Sequence, residues 1–205
     1  MHNGYLQYYK PKVIIGLVVV LAVLIFLAKD YWQLSISIIG IITLILFFID
    51  QWLWKKKLFS LMFWTDNFSG RYEGFIEYEY RDENCEIRTG KLKHVKVIHQ
   101  KGSKITVFSF TIKQDGNPSS VSENKGMHVE LLNGEKHYQL TYSYLNGGNL
   151  EHKFPLHYGT DIIKFIKKGN NKIITGRYFT ERLPFPTKGK YTDLNWVSNN
   201  QEHDF

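Results

Sequence analysis

Two long stretches without a charged residue, both near the amino terminus, constrain this chain more than any other feature. Val13–Ala28 holds 16 consecutive uncharged residues and Tyr31–Ile49 holds 19, whereas no comparable stretch follows Leu58. At 1.5 Å per residue, the first would form about 24 Å of helix, and flanking lysines can bridge the remainder of a ~30 Å hydrocarbon core. The pattern predicts a two-helix transmembrane hairpin within residues 1–57.

The lysines around these stretches predict the orientation of the hairpin. Lys10 and Lys12 precede the first span and Lys55–Lys57 follow the second, against Lys29 in the connection. The positive-inside rule therefore predicts two spans with both termini in the cytoplasm. A cleaved signal peptide is the alternative, but no small-x-small cleavage site follows and a second apolar stretch comes at once.

The second span, Leu34–Ile49, carries small residues at a spacing of three: Ser37, Gly40 and Thr43. Small residues let helices approach closely within lipid. They predict either self-association between chains or packing against the first helix of the same hairpin. No charged residue lies mid-membrane, so the sequence gives no indication of a proton relay or an ion pathway.

After a juxtamembrane linker at 58–69, the pattern in residues 70–205 changes to the period of two that is typical of half-buried strands. Turn signals such as Asn133-Gly134 separate the apolar and aromatic segments. We predict eight strands: Arg71–Arg81, Lys91–Gln100, Lys104–Lys113, Gly126–Leu132, Lys136–Leu145, Leu156–Lys167, Lys172–Arg182 and Lys188–Val197.

Short turns and the lack of amphipathic helices favour an all-β domain, an eight-stranded antiparallel up-and-down barrel like those of lipocalins and streptavidin. A β-sandwich is the alternative. The polar segment Gln114–Lys125 is predicted to be a loop over one mouth of the barrel.

Charge and motif content argue against several functional classes. The net charge of +7 divides into +4 for residues 1–57 and +3 for the remainder, which is not the basic footprint of a DNA or RNA binder. The single cysteine, Cys85, excludes an internal disulfide. No histidine falls in a metal-binding motif, and no phosphate-binding loop or nucleophile elbow is present. We therefore expect no metal, no cofactor and no catalytic residues: the protein is not predicted to be an enzyme.

Polar and aromatic residues do alternate along three predicted strands. Gly70, Tyr72 and Gly74 share one face, Tyr138, Leu140, Tyr142 and Tyr144 a second, and Gly176, Tyr178, Thr180 and Arg182 a third. If these faces point into a barrel, Arg182 and the tyrosines suit a small anionic ligand with planar bases. The alternative is that the tyrosines are ordinary core and that Arg182 and Lys188 are solvated at the rim.

The chain resembles the effectors with two transmembrane helices and a β-rich domain found in bacterial CBASS anti-phage operons. The resemblance covers essentially the whole chain and depends on the order of its elements. They are the hairpin, Gly70–Gly74 (GRYEG), Ile98-His99-Gln100, the serines Ser119, Ser120 and Ser122, Tyr138–Tyr144 followed by Asn146, Gly176–Arg182 (GRYFTER) and Thr187-Lys188-Gly189. Leu183–Pro186 (LPFP) departs from the shorter polar turn expected of the family.

The resemblance implies a barrel that binds a cyclic dinucleotide or related cyclic nucleotide made by a partner CD-NTase. Binding would promote self-association through the transmembrane helices, disrupt the inner membrane and cause abortive infection. The ligand-binding residues that it implies are Tyr72, Gln100, Ser120, Tyr144, Thr180, Arg182 and Lys188. The alternatives are a membrane-anchored, lipocalin-like carrier of a small apolar ligand and a structural scaffold whose barrel is filled by its own tyrosines.

Overall fold

The fold is that of a computed structural model, which describes residues 4, 6–33, 35, 37–132, 137–148, 155–169 and 171–205. These residues form two compact units. One contains the residues up to Asn67 together with the turn Gln100–Lys104. The other contains Phe68–His99 and Ile105–Phe205.

The first unit begins with helix α1, which spans Pro11–Trp32. Proline suits the first turn of a helix because its missing N–H would have no partner there. The helix ends where Gln33 adopts a left-handed conformation. Its 22 residues extend about 33 Å, and the helix is long and apolar enough to cross a membrane. The prediction of a long apolar helix in this part of the chain is confirmed.

The second apolar stretch forms a shorter helix than predicted. Helix α2 spans Ile38–Phe48 and continues as a π-helical turn over Ile49–Leu53, followed by the short helix α3 at Lys57–Ser60. The 16 residues from Ile38 to Leu53 extend about 24 Å, less than a full hydrocarbon core. Helix α2 starts late because the Ser37 Oγ accepts a hydrogen bond from the Gly40 amide at 3.2 Å and caps it. A clear two-span hairpin is therefore not observed.

The chain segments that flank the two helices pair with each other within this unit. The Lys10 amide donates to the Met62 carbonyl at 2.7 Å, and the Trp64 amide donates to the Tyr8 carbonyl at 3.1 Å. The start of α1 and the end of the helical region are thus held side by side.

Asp50, in the π-helical turn, is fully buried and joins three segments of this unit. Its carboxyl group accepts hydrogen bonds from the Tyr9 hydroxyl at 3.1 Å and the Ser103 hydroxyl at 2.9 Å. Its backbone carbonyl accepts from the Gly102 amide at 2.9 Å. One aspartate therefore ties the turn Gln100–Lys104 to the end of the second helix.

The second unit is a closed antiparallel barrel with one additional strand. The strands are β1 Gly70–Arg81, β2 Ile87–Gln100, β3 Ile105–Ile112, β4 Pro118–Asn124, β5 His128–Leu131, β6 Tyr138–Asn146, β7 His157–Lys168, β8 Asn171–Thr180 and β9 Thr187–Ser198. Their order is β4-β3-β2-β1-β9-β8-β7-β6, and β4 pairs with β6 to close the ring of eight. The predicted eight-stranded barrel is confirmed, and the sandwich is not observed.

The barrel closes through a segment that was predicted to be a loop. Within Gln114–Lys125, residues Pro118–Asn124 form β4, which pairs with β3 and with the end of β6. The serines of this segment are strand residues because the backbone ladder on both sides stabilises them despite weak strand propensity. The predicted strand Gly126–Leu132 is the short β5, which continues along β6 beyond β4. The predicted turn Asn133-Gly134 lies outside the described residues.

The barrel interior is filled at one end by apolar side chains and contains a polar layer above them. The fully buried apolar side chains are Phe68, Tyr72, Ile98, Leu140, Ile163, Phe165, Ile174 and Leu194. Next along β2 and β7, on the same faces, come Lys96 and Asp161, which are also buried. Beyond this layer the interior is open.

Candidate ligand cavity

The open end of the barrel encloses a cavity of about 610 Å³. Its lining comes from strand residues near one end of the barrel, including Ile76, Tyr78, Tyr80, His94, Thr111, Ser120, Ser122, Tyr144, Asn146, Tyr178, Thr180 and Tyr191, and from Arg182 and Phe185 in the β8–β9 connection. A volume of this order falls within the range of small-molecule sites. The lining combines hydroxyl groups, aromatic rings and a guanidinium.

Three of the lining tyrosines are almost completely buried: Tyr144, Tyr178 and Tyr191 are 6%, 7% and 5% exposed. Burial raises the pKa of each phenol, and the nearby charge of Asp161 raises it further. All three are therefore neutral at physiological pH. They present aromatic faces on which a planar group can stack.

Arg182 lies just beyond the end of β8 and is held by its surroundings. Its backbone amide donates to the Thr180 Oγ1 and its Nε donates to the Phe185 carbonyl, each at 3.4 Å. The guanidinium carbon lies 5.8 Å from the centre of the Tyr80 ring, a cation–π distance. Thr180 also accepts from the Thr187 amide at 3.0 Å, which fixes the connection that carries the arginine.

A buried ion pair lies beneath the cavity. The Lys96 Nζ is 2.8 Å from Asp161 and also donates to the Ser109 hydroxyl at 2.9 Å and to the Tyr142 hydroxyl at 3.1 Å. The Tyr191 hydroxyl donates to the other oxygen of Asp161 at 2.6 Å. Burial lowers the pKa of Lys96, and the ion pair with Asp161 opposes that shift. Because Tyr191 both lines the cavity and bonds to Asp161, the polar layer fixes one side chain of the cavity floor.

His94 also belongs to the floor of the cavity. It is 3% exposed, its Nδ1 lies 3.0 Å from the Thr111 Oγ1, and its ring packs 5.0 Å from that of Tyr191. Burial lowers the pKa of His94 well below its usual range, and the charge of Lys96 adds to this effect. The imidazole is therefore neutral. Its Nε2 has no hydrogen-bonding partner among the described residues.

The rim of the cavity carries charges of both signs. Arg182 and Lys113 contribute positive charge, and Asp82 and Glu83 of the β1–β2 turn contribute negative charge. Asp82 forms a 2.7 Å ion pair with Arg88, which lowers the pKa of that carboxyl group. An anionic ligand would therefore be held by individually placed groups rather than by a uniformly positive field.

No family model, curated protein or solved structure matches this chain.

The structure brings together four of the seven ligand residues implied by the resemblance. Ser120, Tyr144, Thr180 and Arg182 all line the cavity, although they come from β4, β6, β8 and the β8–β9 connection. Period-two alternation accounts for this, since Tyr144 and Thr180 lie on the barrel-facing sides of their strands.

The other three residues lie outside the cavity. Tyr72 is fully buried in the apolar end, where its hydroxyl donates to the Phe68 carbonyl at 2.7 Å. Gln100 belongs to the other compact unit, where its Nε2 donates to the Asp66 carbonyl at 3.1 Å. Thr187 lines the cavity, so alternation along β9 directs the next side chain, Lys188, away from the lumen. The Lys188 Nζ lies 3.2 Å from Glu79.

Several lining residues were missed from the sequence. Tyr78 and Tyr80 continue the period-two row of Tyr72, so extending that row along β1 to residue 80 would have found them. The sequence does not indicate that His94 lines the cavity. Along β2 it alternates with apolar residues such as Val95, a pattern that predicts an outward-facing polar side chain. In the part of the chain that the structure describes, no three histidine, cysteine or acidic residues are grouped to hold a metal ion.

Proposed function

We propose that this protein is a membrane-anchored sensor of a cyclic nucleotide, of the kind that acts as a CBASS effector in anti-phage defence. The observation that carries the proposal is the cavity of about 610 Å³, which combines buried tyrosine rings with the guanidinium of Arg182. Rings stack on nucleobases, and a guanidinium pairs with phosphate oxygens. The proposed ligand residues are Ser120, Tyr144, Thr180 and Arg182, and the ligand is a cyclic dinucleotide supplied by a CD-NTase.

The nature of the lining favours this ligand over an apolar one. Most lining side chains carry a hydroxyl, amide, imidazole or charged group, and few, such as Ile76, Leu92 and Phe185, are purely apolar. A lipocalin-like carrier of an apolar ligand would leave these polar groups without partners. The open volume likewise disfavours a scaffold filled by its own tyrosines.

The proposed anchor consists of two spans with both termini in the cytoplasm of the cell, at the inner membrane. The lysine distribution supports this orientation. Helix α1 is long enough to cross, and α2 with its π-helical turn would need local thinning of the bilayer or snorkelling of the adjacent Lys55–Lys57.

The proposed output is self-association through α2, followed by disruption of the membrane. Gly40 and Thr43 of α2 and its N-cap Ser37 are exposed, whereas Ile41, Ile42 and Ile45 are partly buried. A β-carbon on Gly40 would meet only Ser37. The row of small residues is thus available to a second copy of the chain, as close helix packing in lipid requires. A ligand can drive this step only by binding the assembled state more tightly.

The experiment that tests the proposal is calorimetry on the full chain in detergent with a panel of cyclic dinucleotides and cyclic trinucleotides. We expect saturable binding of at least one member and no binding of the linear mononucleotides. If no cyclic dinucleotide or cyclic trinucleotide in the panel bound, the proposal would be wrong. Lipid or another apolar molecule that copurifies in stoichiometric amount would favour the carrier instead.

A further inference from the structure

Both small hydrogen-bonding side chains and aromatic rings line the cavity. Strands β2, β3 and β4 contribute His94, Thr111, Ser120 and Ser122, which are small hydrogen-bonding groups. The tyrosines Tyr78, Tyr144, Tyr178 and Tyr191 come from the other strands and contribute rings. A ligand that contacts both kinds of group needs a flat face and a hydrogen-bonding edge, which is the chemistry of a heterocyclic base.

The positions of Arg182 and His94 between the mouth and the inner end of the cavity indicate how such a ligand would be oriented. Arg182 belongs to the connection beyond β8 and is partly exposed, so it lies toward the mouth. His94 is 3% exposed, and the next residue on the same face of its strand is the fully buried Lys96. His94 is therefore at the inner end. A phosphate held by Arg182 would leave an attached base pointing toward His94.

The inner histidine has one ring nitrogen engaged and the other unsatisfied. Nδ1 is 3.0 Å from the Thr111 hydroxyl, and Tyr191 packs against the ring, so the orientation of the imidazole is fixed. Nε2 is buried and has no partner among the described residues. Buried polar atoms almost always have a hydrogen-bonding partner, and an exception is often part of a functional site.

We infer that His94 is a ligand-contacting residue, whose Nε2 forms a hydrogen bond with the edge of one base of the bound nucleotide. This inference rests on the proposed function, since the base belongs to the same cyclic nucleotide. The neutral imidazole offers a single group at Nε2, which accepts or donates according to the direction of the Thr111 hydrogen bond. It therefore selects among bases by the group that they present at this position.

Two substitutions of His94 test the roles of its two ring nitrogens separately. The amide of His94→Gln can reach the position of Nε2, whereas the shorter amide of His94→Asn can reach only that of Nδ1 and its bond to Thr111. In the full chain in detergent, we expect His94→Asn to weaken binding of the tightest cyclic nucleotide by about tenfold, the equivalent of one hydrogen bond. His94→Gln should bind within a few-fold of the wild type. His128→Asn, at an exposed histidine on β5, is the matched control and should bind like the wild type.

A second measurement does not depend on the variants. In the wild-type protein with ¹⁵N-labelled histidine, saturation with the nucleotide should shift the Nε2 resonance of His94 and leave that of His128 in place. If the wild type binds but His94→Asn retains full affinity and the His94 resonance does not move, the inference is wrong and the proposed function stands. If the wild type binds no cyclic nucleotide, both are wrong.

Discussion

The phenol ring of Tyr144 on β6 occupies the space that a β-carbon on its cross-strand partner Gly159 of β7 would need. Two further tyrosines that line the cavity have the same relationship with a glycine: Tyr178 with Gly189, and Tyr78 with Gly90. In each pair the glycine lets the ring lie over the backbone of the neighbouring strand. The rings therefore cover the wall of the barrel and leave its lumen open.

The Gly159→Ala variant tests this packing. The added methyl group would collide with the Tyr144 ring and lie 2.8 Å from the Phe179 carbonyl oxygen, so the ring must move into the cavity. We expect the free energy of unfolding to fall by about 1–3 kcal/mol, as in other overpacked sites, and ligand affinity to fall with it. Gly126→Ala is the control, because its nearest atom is the Ser143 Oγ at 3.8 Å. If denaturant unfolding gave the same free energy of unfolding for the two variants, Gly159 would not be needed to accommodate the Tyr144 ring.

Arg182 is the cation in the cavity that the proposal assigns to the phosphate. Arg182→Ala should weaken binding of the cyclic nucleotide by about 1.5–3 kcal/mol, the value of a hydrogen bond to a charged group. Arg182→Lys should be intermediate, since it keeps the charge but loses the planar fork. Lys188→Ala removes a cation that lies outside the cavity, beside Glu79, and should bind normally in the same calorimetric titration. Equal losses of ligand affinity in Arg182→Ala and Lys188→Ala would indicate a general effect of net charge and not a specific contact with Arg182.

The sequence predicted the barrel and part of the cavity because both depend on local alternation. Tyr144, Tyr178 and Thr180 each lie on the regular face of a strand, so their direction follows from the period of two. The strand β4 was missed because its serines and asparagine have turn-like composition, and only pairing with β3 and β6 makes them a strand. The β3–β4 hairpin is local, but the pairing with β6 joins Ser122 to Asn146, 24 residues later, which local propensity cannot indicate.

The polar layer of Lys96 and Asp161 could not be predicted either, because it also depends on a contact between distant parts of the chain. Alternation along β2 would place the apolar Val95 and Val97 inside and Lys96 outside, but Lys96 is the residue in the lumen. Val95 and Val97 are buried on the outer face against Phe110, which is covered by the carboxy-terminal His203 and Phe205. The inward lysine is stable only because Asp161 is opposite, 65 residues later.

Replacing Lys96 by methionine would leave Asp161 buried without its cation. Breaking a buried ion pair on one side costs about 3–5 kcal/mol, so Lys96→Met should be strongly destabilised in denaturant unfolding. The double variant Lys96→Met/Asp161→Asn removes the uncompensated charge and keeps an acceptor for the Tyr191 hydroxyl. We expect it to be more stable than Lys96→Met alone. A double variant that is less stable would show that the two residues do not act as a pair.

Gly40 tests the proposed self-association of α2. Gly40→Leu places a large side chain in the exposed row of small residues, where it would hold two helices apart. Ligand-induced release of dye from vesicles that contain the protein should be lost, while binding of the ligand is retained. Gly16→Leu introduces the same side chain at an exposed glycine of α1, outside this row, and should release dye normally. Dye release by Gly40→Leu at the wild-type rate would exclude assembly through this face.

The carboxyl group of Asp50 connects Tyr9, the π-helical turn and Ser103. Asp50→Ala leaves both hydroxyl groups without this acceptor and should lower the free energy of unfolding by about 2 kcal/mol or more. Hydrogen exchange at the Gly102 amide, which donates to the Asp50 carbonyl, should become faster as the turn Gln100–Lys104 loosens. Asp50→Asn keeps one acceptor oxygen and should be intermediate, and Asp30→Ala, at an exposed position of α1, should leave exchange unchanged. Unaltered exchange at Gly102 in Asp50→Ala would show that the backbone hydrogen bond alone holds the turn.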